Sequence, residues 1–455
     1  MPSFDAIIVG AGQAGPPLAG RLTSAGWSVA LIERDLVGGT CVNTGCMPTK
    51  TLVASAYAAH LARRALDFGV LTGPVAVNMP TVAARAAKVV TDARSSNEQW
   101  LQTMEGLTFL RGHARFTAPD TITVDGEKIT APHIFINVGG RAYVPALPGI
   151  NEVPHLDNSD MVALDFVPQH LVVVGGSYVG LEFAQMYRRF GAAVTIVERS
   201  ERLARHEDVD VSDAIRELLE AEGIVVRTRA NCIGFAAHEQ GVAVSVSCEA
   251  GEPVVAGSHI LLAVGRRPNT DDLGLDMAGV AIDDRGYIMV DDKLETNVPG
   301  IWALGDCNGR GAFTHTAYND FEIVAANLLD GEDRKLSQRV PGYALYIDPP
   351  LGRAGITEAQ ATASGFDIRV SKRPMTRVGR AVEKGETKGF MKVIARKDTG
   401  KILGAAILGV GGDEAIHGIL DMMSANQPAA ALRWAVPIHP TVSELIPSLL
   451  ADLGV

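Results

Sequence analysis

Two strand–glycine loop–helix–strand units, their first glycines 165 residues apart, and a change of texture near Gly342 predict an α/β protein. The expected architecture is two Rossmann-like dinucleotide-binding domains followed by a C-terminal α+β domain. A single Rossmann enzyme has one such unit; this chain repeats it.

The first unit opens with Asp5-Ala-Ile-Ile-Val-Gly10, a short apolar run stopped by glycine, which reads as a buried parallel strand. Gly10-Ala-Gly12-Gln-Ala-Gly15 then starts a helix reaching about Gly26, and Trp27 to Ile32 forms a second strand closing on Glu33. Glycines at this spacing allow a tight turn, close pyrophosphate approach and close helix packing, and the phosphates rest on the helix N-terminus. Glu33 is placed to accept hydrogen bonds from ribose hydroxyls. Pro16 and Pro17 fit a first helical turn, which needs no backbone donors. The second unit runs Leu171-Val-Val-Val-Gly175, then Gly175-Gly-Ser177-Tyr178-Val-Gly180, a helix through Phe190, and Ala193 to Val197 closing on Glu198. Ser177 replaces the middle glycine and puts a Cβ where pyrophosphate usually approaches.

Further strands ending in glycine are expected at Ile134-Phe-Ile-Asn-Val-Gly139, Ile260-Leu-Leu-Ala-Val-Gly265 and Gly300-Ile-Trp-Ala-Leu-Gly305-Asp306. Pro145 to Pro154 is punctuated by Pro and Gly and reads as a linker. From Gly342, alternation in Gly389-Phe-Met-Lys-Val-Ile-Ala and Ile402-Leu-Gly-Ala-Ala-Ile suggests antiparallel strands, with helical segments after them.

Composition narrows the function. The 455 residues suit two to four domains of roughly 100–200 residues each. At 47% hydrophobic and 20% charged, the chain has material for several cores, which excludes disorder. A net charge of −11 argues against nucleic-acid or anionic-membrane partners, and 5% aromatics argues against base-stacking platforms. Five cysteines, an odd number, are too few for a disulfide-stapled secreted framework. The N-terminus enters its first strand without a basic lead-in, and no apolar run approaches a membrane span. A reducing cytoplasm is the expected compartment.

The chemistry centres on Gly38-Gly39-Thr40-Cys41-Val-Asn-Thr-Gly-Cys46-Met-Pro-Thr-Lys50. Two cysteines five apart can close a small disulfide. A helix beginning at Cys46 would favour its thiolate, and Lys50 would lie one turn on, on the same face. A pair of ordinary buried cysteines, or half a zinc site, is the alternative; zinc needs two more ligands, and no companion CxxC or HxxxH occurs. Cys232, Cys248 and Cys307 are expected to be structural.

With this motif the chain resembles the flavin-dependent pyridine nucleotide–disulfide oxidoreductases of class I, the family of glutathione reductase, dihydrolipoamide dehydrogenase and mercuric reductase. The resemblance covers the whole chain. It also rests on Gly265-Arg-Arg-Pro-Asn269, Gly305-Asp306 and His439-Pro-Thr-Val-Ser-Glu444, in the family's order. Gly311-Ala-Phe-Thr-His315-Thr-Ala-Tyr-Asn-Asp320 and Ser443-Glu-Leu-Ile-Pro-Ser look most like the mercuric-reductase-like branch.

The resemblance implies an FAD-binding domain in two stretches (1–148 and 268–338), an NAD(P)-binding domain (149–267) and a dimerisation domain (339–455). It implies FAD on the first unit, held by Gly10, Gly12, Gly15, Glu33, Gly39, Thr40, Lys50, Gly139 and Asp306. NAD(P)H is implied on the second, at Gly175, Ser177, Tyr178, Gly180, Glu198, Arg199, Arg205 and Gly265. Cys46 would be the flavin-proximal thiol and Cys41 the interchange thiol that attacks substrate. Lys50 and Glu182 would pair beside flavin and nicotinamide, and Tyr178 would gate the nicotinamide pocket. His439, oriented by Glu444, would act as base on the cysteines of the partner in a homodimer.

The resemblance implies a small disulfide, metal ion or other oxidant as the acceptor. No cysteine follows Cys307, so the vicinal C-terminal pair of mercuric reductases is missing, which counts against mercuric ion. Dihydrolipoamide dehydrogenase is the alternative, and a flavin-bound redox sensor with little turnover is a third; His439 and Glu444 argue against the sensor, which needs no thiol base. Glu198 favours the ribose hydroxyls of NADH, whereas Arg199 and Arg205 match the arginine pair of NADPH-using relatives.

Overall fold

The computed structural model describes residues 1–247 and 251–454. Its first sheet has five parallel strands in the order Ile301–Ala303, His133–Ile136, Ala6–Val9, Val29–Glu33, Leu107–Arg111. The central strand Ala6–Val9 is buried along its length, as parallel strands covered on both faces must be. One edge strand, Ile301–Ala303, comes from beyond the second unit. That unit has four parallel strands, Val225–Arg227, Ala193–Val197, His170–Val174 and His259–Leu262.

The repeated glycines solve the same steric problem in both units. Gly10 has φ +106° and Gly175 has φ +114°; a Cβ on either would lie 2.3 Å from a carbonyl oxygen of the next strand. Only glycine fits there. Proline in the first turn of the Gly15–Ser24 helix is accommodated, as expected.

From Gly342 the chain forms a five-stranded antiparallel sheet, in the order Gly342–Leu345, Leu351–Gly355, Ile402–Leu408, Phe390–Arg396, Ile368–Pro374. Its inner face packs on the helices His417–Ser424 and Ile446–Ala451. Buried polar ties fasten it to the second unit. Arg189 donates to Glu222 through Nε (2.9 Å) and Nη2 (2.7 Å), and to Asp348 through Nη1 (2.6 Å).

Pro145 to Pro154 connects the two units, but not as a free linker. Ile150 and Val153 are buried, and Gly149 packs against the backbone of Phe235. Its prolines and glycines mark turns of a segment pinned to the second unit. Two small antiparallel sheets, Ala114–Thr130 and Asn231–Gly257, and a two-stranded pairing of Gly140–Ala142 with Arg266–Pro268 were not legible beforehand. Cys232 lies on the strand Asn231–His238; Cys248 lies outside the described residues. Cys307 is fully buried, its Sγ 3.2 Å from the Leu304 carbonyl, and burial pushes its thiol up to about 12.

Candidate active site

A cleft of about 1580 Å³ runs from the first glycine loop to the second, past Cys41 and Cys46. It exceeds the roughly 300–1,000 Å³ of one small-ligand pocket. Gly10, Gly12, Glu33, Gly39, Thr40, Lys50, Gly139 and Asp306 line its first arm; Gly175, Ser177, Tyr178, Glu182, Glu198, Arg199, Arg205 and Gly265 line its second. Gly15 and Gly180 lie beneath the surface, where a Cβ would meet the carbonyl oxygens of Gly10 and Gly175 at 2.2 and 2.1 Å. His439 and Glu444 do not line the cleft.

Each strand-end carboxylate clamps its own loop. Glu33 accepts from the Ala11 N–H (2.8 Å) and the Asp35 N–H (2.9 Å); Glu198 accepts from Gly176 and Ser200, both at 2.6 Å. Each oxygen keeps acceptor capacity beyond that one bond, and both side chains line the cleft. Ser177 is exposed at the loop's middle position. In the first unit a Cβ at the matching Gly12 would come no nearer than 3.4 Å to Asn137, so the protein itself tolerates a side chain there. Arg199, Arg205 and His206 are exposed beside Glu198.

Where the units meet, Lys50 Nζ donates to Glu182 Oε2 at 2.8 Å. Glu182 Oε1 accepts at 2.9 Å from the N–H of Tyr346, just past the strand Gly342–Leu345 of the C-terminal sheet. The Glu182 side chain is only 6% exposed, so Lys50 and the Tyr346 N–H take the place of water on its two oxygens. Lys50 also lies 4.7 Å from the Tyr346 ring centroid.

Cys46 is the first residue of the helix Cys46–Arg63, with Lys50 one turn on. Cys41 and Cys46 are free thiols. The Cys41 thiol donates to Cys46, and this bond, with the Thr314 hydroxyl and the Lys50 charge, brings Cys46 down to about 6 against the opposing effect of burial. Cys41 moves the other way, because donating to Cys46 and being buried both keep its proton on. The pair therefore holds one thiolate, on Cys46, at neutral pH. Thr314 Oγ1 lies 3.2 Å from Cys46 Sγ. No role was expected of this residue, which opens the helix Thr314–Leu329, 268 residues downstream. On the first arm, Arg266 hydrogen-bonds the Gly140 carbonyl and lies 3.7 Å from Asp306, whose carboxyl is raised by burial and lowered in part by that arginine.

His439 Nδ1 lies 2.9 Å from Glu444 Oε2, while the imidazole is 81% exposed. Trp434, Val436 and Ile438 just before it are exposed as well, a run of large apolar side chains facing out of the C-terminal region.

Alkylation of Cys46 across a pH series tests this electrostatic picture. Its thiolate forms above about pH 6 and is lost as pH falls through that value. Thr314→Val should move the alkylation midpoint up by about one unit, the size of one lost hydrogen bond to an ion. An unchanged midpoint, read by mass spectrometry at Cys46, would contradict it.

Residues 4–320 match the model of the pyridine nucleotide-disulphide oxidoreductase family, and residues 341–449 match its dimerisation domain. The chain is 36% identical to the probable pyridine nucleotide-disulfide oxidoreductase RclA of Escherichia coli, covering 99% of each protein. It is 34% identical to a mercuric reductase of Streptomyces lividans (91% of this chain, 88% of the relative) and 32% identical to a dihydrolipoyl dehydrogenase of Thermus scotoductus (98% and 96%). The solved Cu(II) complex of RclA, described as an HOCl-induced flavoprotein disulfide reductase, superposes with a TM-score of 0.90 at 34% identity over all of both chains. The chain belongs to the class I pyridine nucleotide–disulfide oxidoreductases, enzymes that use FAD and NAD(P)H.

Proposed function

We propose that the chain is a homodimeric reductase that moves electrons from NAD(P)H through Cys41 and Cys46 to a thiophilic metal ion of the Cu(II) class. The observation that carries this is the Cys41–Cys46 pair, one member ionised, at the junction of two dinucleotide-type loops. A full-length relative seen with Cu(II) supports the choice of acceptor. So does chemistry: thiolates are soft ligands that suit Cu(I), the product of the reduction. A reducing cytoplasm suits the free thiols of Cys41, Cys46 and Cys307.

The first arm fits FAD. Gly139 has φ +63°, and a Cβ on it would meet nothing, so bare backbone faces open cleft there. Gly10, Gly12, Gly39 and Thr40 would hold its phosphates, Glu33 its ribose, and Asp306 its ribityl chain. When bound, FAD accepts a hydride from NAD(P)H and delivers two electrons to a disulfide. Lys50 and Glu182 fix a single charge arrangement beside Cys46, and Tyr178 covers the nicotinamide side. Cys41 attacks the acceptor. In going from one thiol and one thiolate to the disulfide, Cys41 and Cys46 release one proton and two electrons, which reduce two Cu(II) to two Cu(I).

His439 of one subunit would take the Cys41 proton of the other, with Glu444 holding the imidazole in place. The exposure of His439 and its apolar neighbours supports a partner surface there.

Steady-state NAD(P)H oxidation with Cu(II), Hg(II), glutathione disulfide, lipoamide and quinones tests the acceptor. Cu(II) should drive turnover faster than the disulfides, and a Cys41→Ser/Cys46→Ser variant should lose it. Turnover with Cu(II) no higher than the dioxygen background would overturn the reading; so would lipoamide turnover that surpasses it. Removal of the base in His439→Ala should slow turnover by about 10²–10⁴-fold. Co-expression of His439→Ala with Cys41→Ser should restore about a quarter of wild-type activity, since half the random dimers are mixed and each carries one complete site. No recovery would place His439 on its own subunit's chemistry or on none.

A further inference from the structure

Tyr178 begins the helix Tyr178–Phe190, next to Ser177 and one turn before Glu182 on the same face. A nicotinamide lying on the second loop and reaching toward Lys50 and Cys46 must pass this ring. The ring does not hang free. Its hydroxyl donates to Glu207 Oε1 at 2.9 Å, and the Tyr343 hydroxyl donates to the same oxygen at 2.7 Å.

Glu207 is 4% exposed, a buried carboxylate. Its other oxygen has no hydrogen-bond partner and faces Arg353, whose Nε lies 3.7 Å away and which is itself 1% exposed. Tyr343 and Arg353 stand directly opposite each other on the antiparallel strands Gly342–Leu345 and Leu351–Gly355. Cross-strand partners project to one face, so both reach the same carboxylate. The Tyr178 and Tyr343 rings pack with centroids 5.4 Å apart, and Phe313 stacks on Tyr343 at 5.6 Å. Burial and the Glu207 charge hold both phenols protonated, as donors.

We propose that Glu207 is a positioning residue that latches the Tyr178 ring over the nicotinamide side of the cleft, and that Tyr343 and Arg353 of the C-terminal sheet set the strength of that latch. The inference rests on the proposed nicotinamide site. When the ring swings aside, the Tyr178–Glu207 hydrogen bond breaks. Tyr343 and Arg353 then remain on the carboxylate, so opening does not leave a buried charge without partners. Two donors also compete for one oxygen. The more fully Tyr343 satisfies it, the more weakly it holds Tyr178.

That competition gives two substitutions opposite signs. Tyr178→Phe keeps the ring but removes the latch, so nucleotide binding no longer breaks a hydrogen bond. Tyr343→Phe leaves Tyr178 as the sole hydroxyl donor and tightens the latch. The experiment is isothermal titration calorimetry of FAD-loaded dimers with NAD+ and NADP+, which bind without turnover. Tyr178→Phe should tighten the nucleotide that wild type prefers by about tenfold, one charge-assisted hydrogen bond. Tyr343→Phe should weaken it severalfold, and the double variant should match Tyr178→Phe alone, because the Tyr343 effect acts through the Tyr178 hydroxyl. Flavin retention at the wild-type level confirms that each variant is folded. The proposal is overturned if Tyr178→Phe binds within twofold of wild type, or if Tyr343→Phe has the same effect with and without the Tyr178 hydroxyl. Absence of binding of either nucleotide to wild type would overturn the proposed function itself, and the latch with it.

Discussion

The ion pair between Lys50 and Glu182 is the constraint on which the site depends. Lys50 belongs to the helix that starts at Cys46, Glu182 to the helix that starts at the second glycine loop, and the Tyr346 N–H that completes Glu182 directly follows a strand of the C-terminal sheet. A nearly buried carboxylate is stable as a charge only with such partners. Satisfying it therefore brings three parts of the chain to one point. Cys46 sits one helical turn from that point, and its position relative to both loops follows from it.

The electrostatics of the thiols follow from the same junction. Lys50 supports a thiolate on Cys46 while Glu182 opposes it, and the Cys41 thiol and Thr314 hydroxyl tip the balance by donating to the sulfur. Charge is thus concentrated on Cys46 and the proton on Cys41. Such a division suits a relay in which one sulfur faces the electron source and the other meets the acceptor. The Glu207 cluster repeats the logic one helical turn away: a buried carboxylate shared between the second unit and the C-terminal sheet, through Tyr178, Tyr343 and Arg353.

Much of this was legible in the sequence where the constraint is local. The glycine loops follow from turn sterics within a few residues, the strands from short apolar runs, and the Cys46–Lys50 relation from helical spacing. The contacts of Thr314, Glu207, Arg266 and Tyr346 were not legible, although Thr314 and Arg266 lie in stretches that carry the family resemblance. Each contact is made by tertiary packing from a distant segment. The segment from Pro145 to Pro154 misled for a related reason. Proline and glycine report where a chain turns, not whether Ile150 and Val153 between the turns are buried. Ser177 looked like a weakened motif because the middle glycine serves the ligand rather than the fold, as the space beside Gly12 indicates.

The central claim is that Cys46 carries the thiolate that faces the flavin. Anaerobic titration of the FAD-loaded dimer with NAD(P)H, followed at long wavelength, tests it most directly. Wild type should develop the absorbance of a thiolate against oxidised flavin as about one equivalent is consumed. Cys41→Ser should retain that band and Cys46→Ser should lack it; a band that survives in Cys46→Ser would contradict the account.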